Sequence, residues 1–303
     1  MSLMRMNKIV YTIAAMAFLP LTSKAQGLLD KLDKEYPNKP IYEMATFKTT
    51  RIGLGHSVET RKKGALEISW YNRYWNRPNG ETQFFLADEV NMRFGLDYAV
   101  SDNFALGVGY STWDEITDGY AKYKFLKQAK KGTGSPFSIV ALQTVSVTSN
   151  QMSQNLYGGS SGSSNYSFAT QLLIARKFNP KLSAQISPFF ISRSNNTMNS
   201  ADPKSQYGIG FGARYKVGGH VSIVSEYYSV FNPLNSIKTY NPFMVGVNWE
   251  LSHLMLQFHM TNARTFAEDA FITQTTNNFN FHDGNFHFGF NATFVLHTSK
   301  NKL

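Results

Sequence analysis

Histidine side chains are the groups in this sequence whose spacing most readily suggests chemistry. His253 and His259 share one face of a segment with period-two alternation, and His287 and His297 share the corresponding face of the last such segment. Imidazoles on neighbouring strands could ligate a metal ion together. However, six residues along one strand place His253 too far from His259 for joint ligation, and no carboxylate with suitable spacing accompanies them. The sequence therefore favours a polar lining, and we predict no metal site.

Covalent catalysis has even less support. The chain has no cysteine, which excludes a thiol nucleophile, thiolate metal ligands and disulfides. A barrel lipase would need a serine, a histidine and an orienting Asn or Asp converging near lipid, whereas the histidines are predicted on the lumen face. The run Gly208-Ile209-Gly210-Phe211-Gly212 is a weak nucleotide motif because no helix follows it, and glycine on a crowded inner face explains it more simply. We therefore predict no catalytic residue, no cofactor and no enzyme.

Charged residues alternate with apolar ones along several segments, and they define the candidate site. Nine charged side chains are predicted to line the interior of the fold: Arg73, Arg93, Asp97, Lys122, Lys124, Arg214, Lys216, Glu226 and Glu250. Burying such groups requires ionic partners or water. Cations outnumber anions in this set, so an open interior would show a mild preference for anions. A plugged interior with paired charges is an equally good interpretation of the same residues.

The elements that would carry these residues are β-strands. Phe, Tyr and Trp make up 15% of the chain, and aromatic side chains favour strands. Between Phe286 and His297, Phe, Ala and Leu alternate with His, Gly, Asn and Thr, as expected for a strand with one apolar face. The faces of 136–147 and 165–178 are ambiguous, and Pro188 inside a candidate strand indicates a bulge. The strand candidates are 65–75, 91–100, 103–112, 118–127, 136–147, 165–178, 182–193, 206–216, 219–230, 240–250, 253–262 and 285–297.

The lengths of the connections select the architecture. Tight links at 101–102, 179–181, 217–218 and 251–252, and a looser basic link at 128–135, alternate with long polar links at 76–90, 148–164, 194–205, 231–239 and 263–284. Only 113–117 is a short member of the second set. A membrane barrel has short periplasmic turns and longer outer loops, whereas a Greek-key sandwich has no reason to alternate in this way. We therefore predict an all-β fold, a transmembrane antiparallel up-and-down β-barrel of about 12 strands, within a range of about 10 to 14.

Export signals at the N-terminus agree with this architecture. Arg5 and Lys8 precede an apolar run from Ile9 to Leu21 that is too short to span a bilayer comfortably, and small residues precede Gln26. Residues 1–25 are therefore expected to be a cleaved signal peptide. Residues 26–60 are predicted to be a periplasmic segment that could cap the lumen, and residues 61–303 the barrel in the outer membrane. Within the periplasmic segment, residues 45–60 could be an extra strand or a polar segment against the lumen mouth.

Several short motifs together resemble a known family. The chain contains, in order, Phe47-Lys48-Thr49-Thr50-Arg51, Gly55-His56-Ser57-Val58-Glu59, Arg93-Phe94-Gly95-Leu96-Asp97-Tyr98, Asp118-Gly119-Tyr120-Ala121-Lys122-Tyr123-Lys124 and Gln171-Leu172-Leu173-Ile174-Ala175-Arg176-Lys177. This order resembles an uncharacterised family of Gram-negative outer-membrane β-barrel proteins, a domain of unknown function. The resemblance runs from about residue 44 to 297 and implies a β-barrel. It implies no catalytic residues.

Two functions remain open at this point. The first is a small porin-like channel with mild anion preference, and the alternative is a non-conducting structural or accessory barrel subunit of an envelope complex. The expected partners are outer-membrane lipid and lipopolysaccharide, the barrel-assembly machinery during insertion and, for the alternative, other envelope proteins. The net charge is +10, and the basic residues are scattered along the predicted strands and turns. Scattered charge favours an anionic lipid surface as the counterpart, and not nucleic acid.

Overall fold

The strands of the protein close into a single barrel. A computed structural model describes residues 41–76, 88–131, 134–148, 165–194, 201–279, 285 and 287–297. The predicted signal peptide and residues 26–40 lie outside these described residues. The strands in chain order are β1 (Ile41–Tyr42), β2 (Ala65–Trp75), β3 (Glu89–Ala99), β4 (Phe104–Ser111), β5 (Ile116–Leu126), β6 (Ala129–Lys131), β7 (Ser138–Thr148), β8 (Asn165–Lys177), β9 (Leu182–Arg193), β10 (Ser205–Lys216), β11 (Val221–Val230), β12 (Phe243–Leu251), β13 (Leu254–Thr261) and β14 (His287–His297). One helix, α1 (Glu268–Thr273), lies between β13 and β14.

All strands except β1 and β6 belong to one antiparallel sheet of twelve strands. Each barrel strand pairs with its sequence neighbours in the sheet, and β14 closes the barrel on β2 through pairs from Phe288 with Tyr74 to His297 with Ala65. The predicted fold class and strand number are therefore confirmed, with small shifts at the strand ends. Closure removes the sheet edges, so every strand has a hydrogen-bonded neighbour on each side.

Alternate side chains along each strand have opposite surroundings. In β3, Phe94 and Leu96 are 51% and 50% exposed, whereas Arg93 and Asp97 on either side of them are 1% and 5% exposed. A strand places successive side chains on opposite faces, so in β3 the apolar residues lie on the outside of the barrel and the charged residues on the inside. Among the described residues, no helix has the length and hydropathy needed to cross a bilayer.

The predicted bulge at Pro188 is wrong. β9 pairs with β10 without a shift, Pro188 lying opposite Ile209. On its other side the pairing with β8 lapses between Gln171–Phe189 and Ile174–Ile186 and then resumes in the same register. Proline lacks the N–H that a ladder needs, and here the strand tolerates a local gap in the ladder instead of an inserted residue.

The two ends of the barrel differ in their connections. At one end the turns are short, as at 100–103, 178–181, 217–220 and 252–253, and at the other the connections include 231–242 and 262–286. We call these the short-turn end and the long-loop end. β2 begins at the short-turn end, where the Gly64 amide donates to the carbonyl of Ala99. Residues 42–64 therefore reach the barrel from the short-turn end, and α1 reaches it from the long-loop end.

Candidate functional site

Residues 46–59 lie inside the barrel, and we call them the lumen hairpin. The chain doubles back at residues 52–55, where the Ile52 amide donates to the Gly55 carbonyl at 2.9 Å and the Ser57 amide donates to the Thr50 carbonyl at 2.9 Å. Arg51 and His56 form an isolated antiparallel bridge across this turn. Ile52, Leu54 and Val58 are at most 1% exposed. Of the two arrangements that the sequence left open for 45–60, an extra strand or a polar segment against the lumen mouth, residues 46–59 add no strand to the barrel and form a hairpin inside the lumen with buried apolar side chains.

Glu226 of β11 holds the tip of the lumen hairpin. Its carboxylate accepts hydrogen bonds from the Leu54 amide at 2.5 Å, the Gly55 amide at 3.1 Å and the Tyr228 hydroxyl at 2.9 Å. A Cβ atom at Gly53 would lie 3.2 Å from Oε2 of Glu226 and closer still to Met244. A side chain at this position would have to displace the Met244 methyl group and would crowd the carboxylate, so glycine allows the turn to approach closely. Carboxylate acceptors make these bonds charge-assisted and stronger than neutral ones.

Lys122 of β5 holds the two arms of the lumen hairpin from the opposite side. Its ammonium group donates to the carbonyl oxygens of Thr50 at 2.9 Å, Ser57 at 3.1 Å and Glu59 at 3.3 Å. A buried ammonium is stable only when its protons find acceptors, and the three carbonyls supply them. Gln185 adds a further contact, accepting from the Val58 amide at 2.9 Å and donating to the His56 carbonyl at 2.8 Å. The hairpin is thus bound on opposite walls of the lumen.

Residues 263–275 form a second buried segment, which contains α1 and which we call the loop-helix segment. All six helical residues are buried. Asp269 accepts from the Ser146 hydroxyl at 2.6 Å, and Arg193 donates to the Thr273 hydroxyl and to the Asp269 carbonyl. The Phe271 ring packs edge-on against the Tyr228 ring at 5.2 Å between centroids. The segment therefore fills the lumen from the long-loop end.

The lumen hairpin and the loop-helix segment meet at an ion pair. Nη1 of Arg51 lies 2.9 Å from Oε1 of Glu268, and the two side chains are 4% and 1% exposed. Nε2 of His56 lies 3.4 Å from the same oxygen. Burial lowers the pKa of His56 well below its usual value, and the positive charges of Arg51 and Lys122 lower it further. Burial raises the pKa of Glu268, while Arg51 opposes that shift by stabilising the carboxylate. The imidazole is therefore neutral, and Arg51 is the cation that holds Glu268.

Strands β2–β5 carry most of the buried charge, and we call their inner face the charged wall. Its central contact is a bidentate pair in which Arg93 donates through Nε at 2.7 Å and through Nη2 at 2.5 Å to the two oxygens of Asp118. Glu67 accepts from the Thr50 hydroxyl at 2.5 Å and from the Arg61 guanidinium. Bidentate arginine–carboxylate pairs fix both charge and orientation. The charged wall therefore contains an internal ion pair and is also bonded to the lumen hairpin.

Strands β7–β9 present a different inner face, which we call the apolar wall. Val140, Leu142, Leu173 and Ile191 on this face are at most 1% exposed. They belong to one buried cluster with side chains of both inserted segments, among them Phe47, Ile52, Leu54, Val58, Phe271 and Ile272. Each fully buried aliphatic side chain contributes roughly 1.5–3 kcal/mol. The hairpin and the loop-helix segment therefore contact the apolar wall mainly by hydrophobic packing, beside the hydrogen bonds of Ser146, Gln185 and Arg193.

The nine charged residues predicted from the sequence lie in two settings. Arg73, Arg93, Asp97, Lys122, Lys124, Arg214 and Glu226 are buried in the barrel interior. Lys216 and Glu250 are half-buried near the short-turn end. There Glu250 meets Arg214 at 3.4 Å and Lys48 of the hairpin at 2.9 Å, and Lys124 lies 3.8 Å from Glu59.

The sequence missed the partners that the charged residues have inside the lumen. Asp118, the acceptor for Arg93, was not among the nine residues, and neither Arg51 nor Glu268 was recognised as functional. One signal was present for each inserted segment. Gly53-Leu54-Gly55 allows a tight turn, and residues 263–272 hold Ala263, Phe266, Ala267, Ala270 and Phe271 within a link read as polar. Apolar residues in an outer loop indicate that the loop folds inward.

The histidines divide between two places. His253 and His297 are exposed at the short-turn end with ring centroids 6.3 Å apart, and His259 and His287 are buried on the inner face. Across the described ranges, no group of three or more His, Cys, Asp or Glu side chains is arranged to hold a metal ion.

Comparisons with known proteins add a family and several similar folds. The family described as "Membrane bound beta barrel domain (DUF5777)" matches residues 47–296. Among solved structures, the KdgM porin is 11% identical with a TM-score of 0.48, and the match covers 76% of this chain and 99% of that one. The COG4313 outer membrane channel from Pseudomonas putida F1 is 13% identical with a TM-score of 0.44, covering 79% and 98%. Outer membrane phospholipase A from Escherichia coli is 12% identical with a TM-score of 0.39, covering 78% and 91%. No curated protein matches the sequence.

Proposed function

The chain belongs to this family of membrane-bound β-barrel domains, and from that premise we propose that it is a gated channel of the Gram-negative outer membrane, closed at rest by the lumen hairpin and the loop-helix segment. The observation that carries the proposal is the charged wall. Buried charges extend along it from Lys124, which meets Glu59 near the short-turn end, through the central pair of Arg93 and Asp118, to Arg73 beside the loop-helix segment.

A barrel with only a structural role does not require charged residues along its inner face. Replacing buried ion pairs with well-packed apolar residues is often neutral or stabilising, so charge retained throughout an interior calls for another explanation. A hydrophilic surface that runs along the lumen is what a water-filled path needs once the inserted segments move. The apolar wall, by contrast, offers a surface on which those segments can rest.

The charge balance supports the mild anion preference expected from the sequence. The buried charged residues on the described barrel strands are the cations Arg73, Arg93, Lys122, Lys124, Arg193 and Arg214 and the anions Glu67, Asp97, Asp118 and Glu226. The loop-helix segment supplies the buried anions Glu268 and Asp269, and the lumen hairpin supplies the buried cation Arg51. Withdrawing the loop-helix segment therefore removes negative charge and leaves a wall with more cations than anions. Rings of fixed positive charge favour anions in a pore.

Single-channel recording in planar bilayers tests the proposal. Wild-type protein is expected to show rare, brief openings, and the double variant Glu226→Ala with Glu268→Gln is expected to stay open much longer, because it loses the acceptor at the hairpin tip and the pair between the segments. Leu172→Ala is the matched control, since Leu172 is 39% exposed on the lipid face. A reversal potential in a KCl gradient should indicate chloride preference. Cation selectivity would refute the anion preference.

A second function has an observation in its favour. The cluster that joins both inserted segments to the apolar wall contains eighteen buried residues. Packing of that extent is typical of a permanent core. It favours a non-conducting barrel that serves as an accessory subunit of an envelope complex. Absence of current from the wild-type protein and from the double variant would favour this function. Cross-linking in intact outer membranes would then identify the protein partners.

We further propose that the apolar outer face contacts outer-membrane lipid and lipopolysaccharide and that the barrel-assembly machinery inserts the chain. Val108 at 59% exposure and Phe94 at 51% are examples of side chains suited to lipid. A lipid-facing lysine near the bilayer midplane costs about 2–4 kcal/mol, so Val108→Lys should reduce folding into outer-membrane vesicles. Unchanged insertion of this variant would contradict the assigned orientation.

A further inference from the structure

Four basic side chains gather at the long-loop end of the lumen, and we call them the basic cluster: Arg73, His259, Arg264 and His287. The strand registers set three of these residues in place. His259 of β13 lies opposite Gly289 of β14, and Gly289 lies opposite Arg73 of β2. A Cβ atom at Gly289 would collide with the His259 imidazole, so the glycine leaves room for the ring to lie between the flanking strands. Closer to the long-loop end of the lumen, Nε of Arg264 lies 3.4 Å from Nε2 of His287.

The basic cluster has hydrogen-bonding groups to spare. Nε and Nη2 of Arg73 are buried without a hydrogen-bond partner, as are both ring nitrogens of His259 and Nδ1 of His287. Within the described part of the chain, neither Arg73 nor Arg264 lies within ion-pair distance of a carboxylate. Buried guanidinium groups normally have acceptors for their protons, and an unsatisfied buried donor costs free energy. The free Nε and Nη2 of Arg73 are donors suited to an oxyanion, and each imidazole can add an N–H.

Arg73 uses its remaining donor to hold the loop-helix segment. Nη1 donates to the carbonyl oxygens of Ala263, at 3.3 Å, and Thr265, and the guanidinium lies over the Phe266 ring at 4.2 Å from its centroid. Backbone carbonyls are neutral acceptors, and a carboxylate or phosphate oxygen makes a stronger, charge-assisted bond to arginine, often a bidentate one. An entering oxyanion would therefore compete with Ala263 and Thr265 for the same guanidinium.

We propose that the basic cluster binds a small oxyanion, a carboxylate or a phosphate group, and that this binding draws Arg73 away from the loop-helix segment and opens the lumen. The inference rests on the proposed channel function and names its ligand class and its trigger. A ligand shifts a conformational equilibrium only by its preference for one state. Here the preference arises because Nη1 of Arg73 donates to carbonyls in the closed state and joins Nε and Nη2 as a donor for the anion once the segment withdraws.

Two carboxyl groups lie near the basic cluster and limit its charge. Asp114 approaches the Nδ2 amide of Asn91 at 3.5 Å, and the same amide donates to the Arg264 carbonyl at 3.1 Å. Glu89 begins β3 and acts electrostatically on Arg264. Two guanidinium groups against two carboxyls give a site with no large net charge. The selectivity of the site for an anion therefore depends on the unpartnered hydrogen-bond donors of Arg73 and not on a large net positive charge.

Gluconate and sorbitol provide matched probes, because they share a polyol chain and differ in the carboxylate. With purified full-length protein in planar bilayers, gluconate is expected to raise the open probability and sorbitol is not. Arg73→Gln should open more often without ligand, lose the gluconate response and bind gluconate at least about tenfold more weakly by calorimetry in detergent. Arg214→Gln removes the same charge at the short-turn end and should keep the response. Inorganic phosphate separates the ligand classes, since a response to phosphate extends the site to oxyanions in general and its absence restricts it to carboxylates.

Two results would overturn the inference. One is an equal response to gluconate and sorbitol, and the other is equal gluconate binding and gating in Arg73→Gln and Arg214→Gln. These failures are separable from failure of the channel proposal. If the Glu226→Ala and Glu268→Gln double variant conducts while gluconate neither binds nor opens the wild type, the channel stands and the ligand site is wrong. If neither protein ever conducts, calorimetry with Arg73→Gln still decides whether the site exists.

Discussion

The charged wall of β2–β5 and the apolar wall of β7–β9 lie in one barrel and hold the same inserted segments by different physics. The apolar wall packs against them chiefly with Leu142, Leu173 and Ile191, which make no directional contacts, and Gln185 and Arg193 on its strands add a few hydrogen bonds. The charged wall meets them with Lys122 and Glu67, whose bonds to the hairpin have defined acceptors and donors. Hydrophobic packing tolerates sliding, whereas a directional polar bond is either formed or lost.

This difference suggests how the lumen can be both stable and able to open. A segment that rests on an apolar surface retains part of its burial when it shifts. A segment fixed by a few charge-assisted bonds is released when those bonds are exchanged for others. The apolar wall would then set how firmly the inserted segments stay, and the charged wall would set when they leave. Four substitutions test this division, and they are ordered by expected size.

The largest effect is expected from breaking the charged wall at its centre. Arg93→Met leaves the Asp118 carboxylate buried without its bidentate partner, and breaking a buried pair in this way costs about 4 kcal/mol. The free energy of unfolding, measured by urea titration in lipid vesicles, should fall by that amount. The double variant Arg93→Met with Asp118→Leu should recover most of it, because no lone charge remains. A double variant as unstable as the single one would contradict this account of the pair.

A smaller loss is expected from the apolar wall. Leu173 is fully buried in the cluster with the hairpin, and Leu173→Ala removes packing worth about 3 kcal/mol. The same substitution should increase basal current, because the hairpin loses part of the apolar surface that it packs against. Leu172→Ala changes the neighbouring, lipid-facing residue and should leave the current unchanged. Equal currents in the two variants would show that the apolar wall does not retain the hairpin.

The contrast between the walls also explains which parts of the molecule the sequence revealed. Arg93, Asp97 and Lys122 alternate with apolar neighbours, so the charged wall could be assigned to the lumen from periodicity alone. Strands β7 and β8 were ambiguous because their inner faces carry Val140 and Leu173, which look like lipid-facing residues. Those residues are apolar because the inserted segments cover them. A pattern along one strand cannot show what lies across the lumen from it.

The contact between the two inserted segments could not be predicted for a related reason. Arg51 and Glu268 are 217 residues apart in sequence. Their pairing depends on two segments that enter the lumen from opposite ends. Neither segment has the period-two alternation of a barrel strand. Apolar residues within the 263–284 link, such as Phe266 and Phe271, were the available signal for a buried loop. Periodicity therefore reveals the barrel, whereas the contents of the lumen follow from long-range contacts.

An intermediate effect is expected at the tip of the lumen hairpin. Glu226→Ala removes the acceptor of the Leu54 and Gly55 amides, and unsatisfied buried donors there should cost about 2 kcal/mol. Hydrogen exchange at these two amides should accelerate more than exchange in the strands, since the tip is released before the barrel unfolds. Glu226→Gln keeps one acceptor oxygen and should show a smaller change. Exchange at the tip that stays as slow as in the wild type would mean that Glu226 does not hold it.

The smallest effect is expected at the rim, where Lys48 of the hairpin meets Glu250. The two side chains are 31% and 18% exposed, and ion pairs so close to water contribute less than about 1 kcal/mol. Lys48→Gln should therefore change neither the unfolding free energy nor the basal current by more than a small amount. Lys122→Met removes the same charge from a site that is 1% exposed and bonded to three hairpin carbonyls, so it should cost clearly more. If the two variants behave alike, the hairpin is held along its whole length, and the charged wall has no special part in its release.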